Sequence, residues 1–297
     1  MDTKIAVVGV PSSAGAHGAG TEKAPSFLRK AGVIDRLRLR HPDLIDCGDS
    51  PTVTYKPDLE NPKQRNLPAV REVITDIAGR VDDAIQNGCL PLVLGGDCTI
   101  TLGVLAALTK HFESVGLIYF DGDLDLNIPE VSPSGIFDGM GLAHIIGKGA
   151  LELTHIGPRY PLLSEERVVA FAYNPEAGWT DPYELETAQR SLMIKYPVSV
   201  VKTNPAQVAS EALNRLTNVA EHVLVHFDVD AIDTDEFPAS DVPHKHGLSL
   251  QGLVEALRVF TTCPKFVGLV VTELNPELDP KGICARQLVE VLELCLG

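Results

Sequence analysis

The stretch V-G-L-I-Y-F-D-G-D-L-D-L-N, residues 115–127, is the one around which the chain is organised. It begins with an uninterrupted nonpolar run, the pattern of a parallel strand that is buried on both faces. The run ends at Asp121, Asp123 and Asp125. Carboxylates crowded at the end of a buried strand repel one another and lose hydration, so either their pKa values rise or a cation lies among them. A solvated acidic loop is the alternative interpretation of a single D-x-D-x-D motif.

Three other apolar runs end in a similar way. Residues 90–94 are followed by Gly95, Gly96, Asp97 and Cys98, residues 223–227 by Asp228, Asp230 and Asp233, and residues 266–271 by Glu273 and Asn275. In an open parallel α/β sheet, ligands bind outside the carboxyl ends of the strands. Strands that each bring acid or thiol to this edge should therefore meet at one site. A lone cysteine is more often an inert buried side chain than a metal ligand or a nucleophile. Cys98 is a candidate for such a role only because it lies at the carboxyl end of a predicted strand.

The composition narrows the class of protein. The 297 residues include 40 acidic and 25 basic side chains, which gives a formal net charge of -15. Nucleic acids and anionic membranes repel such a surface, so neither is expected as a partner, whereas small cations are attracted. The six cysteines lack C-x-x-C pairing, and no apolar run reaches the ~18 residues that suggest a membrane span. We expect a protein of the reducing cytoplasm.

Strand and helix patterns alternate along the whole chain. Residues 5–10 are predicted as the first strand, and a helix is predicted from Pro25 through Leu37. An apolar stripe over residues 70–85 predicts another helix, and the proline-rich residues 46–68 predict an extended loop. Further strands are predicted at 151–157, 168–173 and 198–201. Because no linker-like break interrupts this alternation, residues 1–297 are interpreted as a single doubly wound α/β domain.

Four motifs resemble the signatures of the ureohydrolase family, which includes arginase and agmatinase. They are G-G-D-C-T (95–99), D-G-D-L-D-L-N (121–127), H-F-D-V-D-A-I-D (226–233) and T-E-L-N-P-E (272–277), and residues 9–32 are similar to the N-terminal segment of that family. The resemblance implies a three-layer α/β/α sandwich with a mostly parallel sheet of about eight strands. It also implies hydrolysis of a guanidino or amidino C–N bond by a hydroxide that bridges two Mn²⁺ ions, in a trimeric or hexameric assembly.

The resemblance also implies a set of metal ligands. It assigns Cys98, Asp121, Asp125 and Asp228 to one ion, and Asp121, Asp123, Asp228 and Asp230 to the other. Cys98 and Asp123 stand where the family normally has histidine. Five ionised aspartates and one thiolate outweigh the charge of two divalent ions, so the site should stay negative and favour a cationic substrate. Thiolate is softer than imidazole, which moves the preference at the Cys98 position from Mn²⁺ toward Zn²⁺ or another thiophilic ion.

Further positions match the substrate site of the family. Glu273 matches the carboxylate that faces the guanidinium of the substrate, and Asn127 and Ser134 match loop positions that contact an α-carboxylate. Asp138 stands where arginases carry a histidine thought to shuttle protons, and Ile136 replaces a polar residue of the same loop. Ordinary arginine recognition is therefore in doubt.

Histidines elsewhere could supply the missing proton shuttle. His244 and His246 lie in the loop after the Asp228 motif, which should overhang the crevice, so either could replace the shuttle. The remaining candidates, His144, His155, His222 and His226, are interpreted as packed or exposed side chains.

Three functions remain open at this point. The first is a binuclear hydrolase of a guanidino compound, with Nω-hydroxyarginine as the predicted preference, because a hydroxylated nitrogen is a less basic leaving group that needs less protonation. The second is a metal-poor relative that binds a small molecule or a partner without turnover. The third is a single-metal amide hydrolase on the same fold. The number of bound ions distinguishes the three.

Overall fold

A parallel sheet of eight strands forms the centre of the protein in the computed structural model, which describes residues 4–176 and 180–297. The strands are β1 (Lys4–Gly9), β2 (Ile45–Asp49), β3 (Cys89–Leu94), β4 (Val115–Phe120), β5 (Val168–Phe171), β6 (Ile194–Tyr196), β7 (His222–Asp228) and β8 (Phe266–Thr272). Their spatial order is β2-β1-β3-β8-β7-β4-β5-β6. Because neighbouring strands are parallel, each connection between consecutive strands must cross over a face of the sheet, and every connection contains at least one helix.

Helices cover both faces of this sheet. Within the described ranges they are α1 (Ala24–Lys30), α2 (Val33–Arg38), α3 (Leu67–Gln86), α4 (Ile100–His111), α5 (Gly141–Ile145), α6 (Leu151–Thr154), α7 (Pro182–Arg190), α8 (Val198–Val201), α9 (Pro205–Thr217), α10 (Leu250–Thr261) and α11 (Ile283–Leu296). Alternate residues of each strand face opposite layers, as Ile118 and Tyr119 of β4 show by packing into different cores. One core contains α1, α2, α9, α10 and α11, and the other contains α3, α4 and α5. The three-layer α/β/α prediction is confirmed.

Several local predictions were wrong. The predicted helix from Pro25 through Leu37 is two helices, because Gly32 adopts the left-handed conformation (φ 94°) between them. The predicted loop 46–68 contains most of β2, whose residues are largely exposed and therefore lack an apolar run. This strand lies at the edge of the sheet.

Two predicted strands are short helices. Residues 151–157 contain α6, and residues 198–201, three of them valine, form α8 directly after Pro197. The neighbouring strand β6 ends at Tyr196 instead. Runs this short do not show whether the repeat is two residues or 3.6, so pattern alone could not distinguish strand from helix.

Across residues 4–176 and 180–297, no helix is both long and apolar enough to span a membrane.

Candidate metal and substrate site

The carboxyl ends of β3, β8, β7 and β4 lie side by side and open into a cavity of about 570 Å³. All the predicted metal ligands line it, namely Cys98, Asp121, Asp123, Asp125, Asp228 and Asp230. The predicted substrate-facing residues Glu273, Asp138, Asn127 and Ser134 line it as well. The four strand ends that the sequence singled out therefore converge on one site, as the parallel-sheet rule predicts.

Four buried side chains form what we call the inner cluster: Cys98, Asp121, His226 and Asp228. One ligand atom from each lies within 4.8 Å of the others. Cys98 Sγ lies 2.7 Å from Asp228 Oδ2, and His226 Nε2 lies 3.3 Å from Asp121 Oδ2. Thr272 fixes the Asp228 carboxylate by donating a hydrogen bond of 3.0 Å from Oγ1. Thiolate, imidazole and carboxylate are the ligands of a thiophilic divalent ion such as Zn²⁺.

A second group, the outer cluster, consists of Asp123, Asp230 and His244. His244 Nε2 lies 3.1 Å from Asp123 Oδ2 and 3.5 Å from Asp230 Oδ2. Burial opposes a positive charge on His244, but hydrogen bonds and charge from the two aspartates outweigh it and raise the pKa of the imidazole to about 11. The imidazolium thus supplies the positive charge that the two carboxylates need.

Backbone amides hold the aspartates in place. Asp121 accepts the N–H of Asp123 at 2.6 Å, and Asp228 accepts the N–H of Asp230 at 2.8 Å. The N–H of Gly122 donates to Asp230 Oδ1 at 2.8 Å, which ties the two strand ends together. A Cβ at Gly122 would lie 2.9 Å from both Asp230 Oδ1 and His244 Cδ2, so this close approach requires glycine.

Asp125 lines the cavity but does not join either cluster within the part of the chain that the structure describes. Its backbone is in the left-handed conformation (φ 48°), and its carboxylate accepts a hydrogen bond from the Tyr119 hydroxyl. The fourth member of the inner cluster is His226, which the resemblance does not assign to either ion. The role of Asp125 as a metal ligand stays a prediction.

Glu273 and Asp138 form a carboxylate pair beside the inner cluster. One ligand atom from each lies within 4.8 Å of the Cys98 thiol and of the other. Asp138 Oδ1 accepts the N–H of Cys98 at 2.8 Å. Glu273 is 2% exposed and has a left-handed backbone (φ 65°), and neither of its carboxylate oxygens has a hydrogen-bond partner among the described residues. A buried acceptor without a donor is costly unless a cation or a ligand completes it.

The electrostatics of the cavity favour divalent cations. Burial, reinforced by neighbouring carboxylates, raises the pKa of Asp121, Asp125, Asp138, Asp228 and Glu273 well above the usual range. Burial and the same carboxylates raise the pKa of the Cys98 thiol. Groups that resist ionisation in this way become good ligands once cations replace their protons. The donor set therefore fits two divalent ions.

The cavity is also lined by residues that the sequence did not single out. They include Thr180, Asp181 and Glu184, and the Thr180 hydroxyl donates to Asp123 Oδ1 at 3.5 Å. Glu184 Oε1 accepts the N–H of Leu126, and burial raises its pKa to about 8. Asp181 begins α7 as part of a capping box with Glu184. The D-P-x-E pattern was a detectable sign of a helix start, although not of a binding site.

The structure distinguishes His244 from His246 by their contacts. Both residues line a neighbouring groove with Lys202 and Pro175, but only His244 joins the outer cluster among the described residues, whereas His246 has a left-handed backbone (φ 64°). The geometry therefore favours His244 over His246 as a participant in the chemistry. Neither ring contacts Asp138 among the hydrogen bonds of the described residues.

His226, interpreted from the sequence as a packed side chain, lies in the inner cluster. It pairs in register with Tyr119 across β4 and β7, and the two rings stack at 4.1 Å. Because alternate residues of a strand face the same side, its position two residues before Asp228 was a usable signal.

Comparison with known proteins agrees with this geometry. The family model described as "Arginase family" matches residues 3–297. The arginase of Bacillus caldovelox is 32% identical over 295 residues, covering 99% of this chain and 98% of that protein. The arginase of Brevibacillus brevis is 31% identical over 298 residues, covering 100% of this chain and 99% of the other. The solved structure of the Bacillus caldovelox arginase superposes with a TM-score of 0.91 over 99% of this chain and 98% of that one, at 31% identity. The chain therefore belongs to the arginase family, whose members are hydrolases of C–N bonds in linear amidines.

Proposed function

We propose that this protein is a binuclear metal-dependent hydrolase of a guanidino acid, with a preference for N-hydroxylated guanidines such as Nω-hydroxyarginine. The Glu273 carboxylate carries this proposal, because it is buried beside the metal-ligand clusters and has no hydrogen-bond donor among the described residues. A guanidinium offers parallel N–H donors that match a carboxylate, with charge as well as geometry. The negative cavity adds attraction for such a cation.

Two divalent ions fit the residues of the cavity. Cys98, Asp121 and Asp228 of the inner cluster would hold one ion, and Asp123 and Asp230 would hold the other, to which the resemblance also assigns Asp121 and Asp228. When bound, the ions act as Lewis acids that activate water for attack on the guanidinium carbon. Mn²⁺ suits the carboxylate oxygens, whereas the sulfur of Cys98 favours Zn²⁺ at the inner position.

The polar side chains of the cavity suit the two ends of a guanidino acid. Glu273 and Asp138 lie beside the inner cluster, where they would hold the guanidinium. Asn127 and Ser134 line the same cavity, and their amide and hydroxyl would donate hydrogen bonds to an α-carboxylate. Asp181 and Glu184 line it as well, and their carboxylates would face an α-ammonium group. The substrate class that matches these groups is an α-amino acid with a terminal guanidine.

The preference for a hydroxylated guanidine follows from the acid–base groups. An alkylamine is strongly basic and must be protonated as it leaves, and Asp138 offers no imidazole for this purpose. Cleavage at a hydroxylated nitrogen releases hydroxylamine, a much weaker base that needs less assistance. Asp138 is also committed to accepting the Cys98 N–H at 2.8 Å. Ile136, which is buried in the cavity wall, gives this region an apolar contact.

Steady-state kinetics with four substrates test the proposal. Arginine, agmatine, guanidinobutyrate and Nω-hydroxyarginine are compared side by side after loading with Mn²⁺ or Zn²⁺. We expect the highest kcat/KM for Nω-hydroxyarginine and a low value for agmatine, which lacks the α-carboxylate. A kcat/KM for arginine equal to or above that for Nω-hydroxyarginine would overturn the preference, and no turnover of any guanidine would overturn the proposed activity.

We also infer that the protein forms a trimer or hexamer and that residues 1–297 fold as one domain. Family membership supports the first inference, and the single sheet that joins β1 to β8 supports the second. Light scattering after size-exclusion chromatography measures the assembly directly, and a monomer would contradict it.

A further inference from the structure

Two imidazoles lie against the predicted metal ligands at positions that the resemblance does not assign to the metals. Two histidine positions of the family are occupied here by Cys98 and Asp123. In the structure, His226 lies against the ligand atoms around Cys98, and His244 lies against the carboxylate of Asp123. Each replaced ligand therefore has a new imidazole beside it, supplied by a different part of the chain.

We propose that His226 and His244 are metal ligands, one for each ion, and that they return to the binuclear site the two imidazoles lost at positions 98 and 123. This inference rests on the proposed binuclear site and deepens it, because it assigns a different ligand set to the same cavity.

The surroundings of His226 suit a ligand. The residue is fully buried, and its Nε2 is directed at the inner cluster, 3.3 Å from Asp121 Oδ2. Its Nδ1 lies 2.7 Å from Thr101 Oγ1, which can accept the Nδ1 proton and leave Nε2 with a free lone pair. A ligating histidine almost always has such an outer partner for its second nitrogen. Stacking on Tyr119, with 9° between the ring planes, fixes the orientation of the ring.

Several contacts direct the His244 ring toward the outer cluster. The side chain is 1% exposed, and Nε2 reaches Asp123 and Asp230 at 3.1 and 3.5 Å. Its place is set by the chain, because Asp233 pairs with His244 in an isolated β-bridge and the N–H of Thr234 donates to the His244 carbonyl at 2.8 Å. Unlike Nδ1 of His226, its Nδ1 has no partner among the described residues, so the contacts of Nε2 and of the backbone alone orient the ring. One nitrogen and two carboxylate oxygens of these three side chains lie within 4.8 Å of one another, close enough to share one cation.

The exchange also has an electrostatic consequence. With a neutral imidazole from His226 instead of the Asp125 carboxylate, the ligand set of the inner ion would be less negative than the set that the resemblance assigns. The mixed set of sulfur, nitrogen and oxygen favours a borderline or soft divalent ion there. The outer set, with two carboxylates and one imidazole, suits Zn²⁺ or Mn²⁺.

X-ray absorption of the full-length protein loaded with Zn²⁺ tests the proposal, because imidazole ligands give a characteristic outer-shell scattering. With two ions bound, we expect an average of about one imidazole per ion in the parent protein. Two bound ions without imidazole scattering would overturn this inference and leave the proposed binuclear hydrolase intact. If no Zn²⁺ or Mn²⁺ binds, both proposals are wrong.

Variants assign each imidazole. Each of the substitutions His226→Ala and His244→Ala should halve the imidazole scattering. Each should also weaken the binding of one ion by at least about tenfold, because removing even a residue that only contacts a metal ligand lowers metal affinity by that factor or more. His222→Gln is the control on the same strand, because His222 stacks on Phe112 at 4.1 Å outside the cavity. The control should keep the scattering of the parent. Unchanged scattering in both alanine variants would overturn the assignment.

A rescue experiment separates ligation from a merely structural role. Adding Asp123→His to the His244→Ala variant places an imidazole on the same cluster from the family position. We expect this pair of changes to restore both the imidazole scattering and two-ion stoichiometry. If His244→Ala alone binds two ions with the same imidazole scattering as the parent protein, His244 is not a ligand, whatever the double variant binds.

Discussion

Replacing Glu273 with glutamine removes one negative charge from the cavity and keeps the shape of the side chain. Glu273 is 2% exposed, so water does not screen its attraction for a guanidinium. Removing one member of a buried, hydrogen-bonded charge pair costs about 2–5 kcal/mol. Since 1.36 kcal/mol corresponds to a factor of ten in rate, we expect kcat/KM for the guanidine substrate to fall by roughly 30-fold to 5,000-fold.

The same substitution should have the opposite effect on stability. The buried carboxylate has no donor among the described residues, and burial raises its pKa well above the usual range. A raised carboxyl pKa in the folded state means that stability falls as pH rises above the ordinary value of 4.5. Glu273→Gln should therefore be at least as stable as the parent at pH 8 when metal has been removed.

Glu277 provides a matched control for Glu273. Glu277→Gln changes a glutamate four residues away that pairs with Lys23 at the surface, so kcat/KM should be unchanged. Kinetics and thermal unfolding are measured on both variants. A kcat/KM for Glu273→Gln within threefold of the parent value would show that Glu273 does not hold the guanidinium.

Three further outcomes are expected. The metal-free protein should lose stability as pH rises from about 6.5 to 9, because the folded state retains protons on carboxyl groups with raised pKa values and on His244, whose pKa is raised to about 11. Bound metal should remove most of this pH dependence. Urea unfolding measures the stability across this range, and a stability that stays constant or rises with pH would contradict the prediction. Asp121→Asn combined with Asp228→Asn should abolish metal binding and the thermal stabilisation by metal, and metal content equal to that of the parent would contradict it. Tyr119→Phe removes the hydroxyl that donates to Asp125 and should lower kcat/KM modestly, by less than about tenfold, with a well-folded protein as judged by circular dichroism; loss of folding would point instead to a structural role of this buried pair.

The positions of the strand ends were predictable for a physical reason. Each central strand is buried on both faces and so appears as a continuous apolar run, and the polar residues that end it mark the edge of the sheet. Val115–Phe120 was located to the residue in this way. The edge strand Ile45–Asp49 was missed because its residues are largely exposed and its sequence lacks such a run.

The histidine contacts were not predictable to the same degree. His226 lies inside an apolar run, where a single polar residue looks like a packed side chain, and its meeting with Asp121 depends on the register between β4 and β7. The approach of His244 to Asp123 depends on an irregular segment held by one β-bridge and on the close passage of Gly122. Neither local propensity nor periodicity describes contacts of that kind.

Metal analysis of protein purified without chelators tests the central claim most directly. Elemental analysis after removal of loosely bound ions should find two divalent ions per chain, and the double variant Asp121→Asn and Asp228→Asn should retain none. One ion per chain would favour a mononuclear hydrolase instead. A parent protein that binds no divalent ion when Mn²⁺ and Zn²⁺ are supplied would contradict the binuclear site and the hydrolase that depends on it.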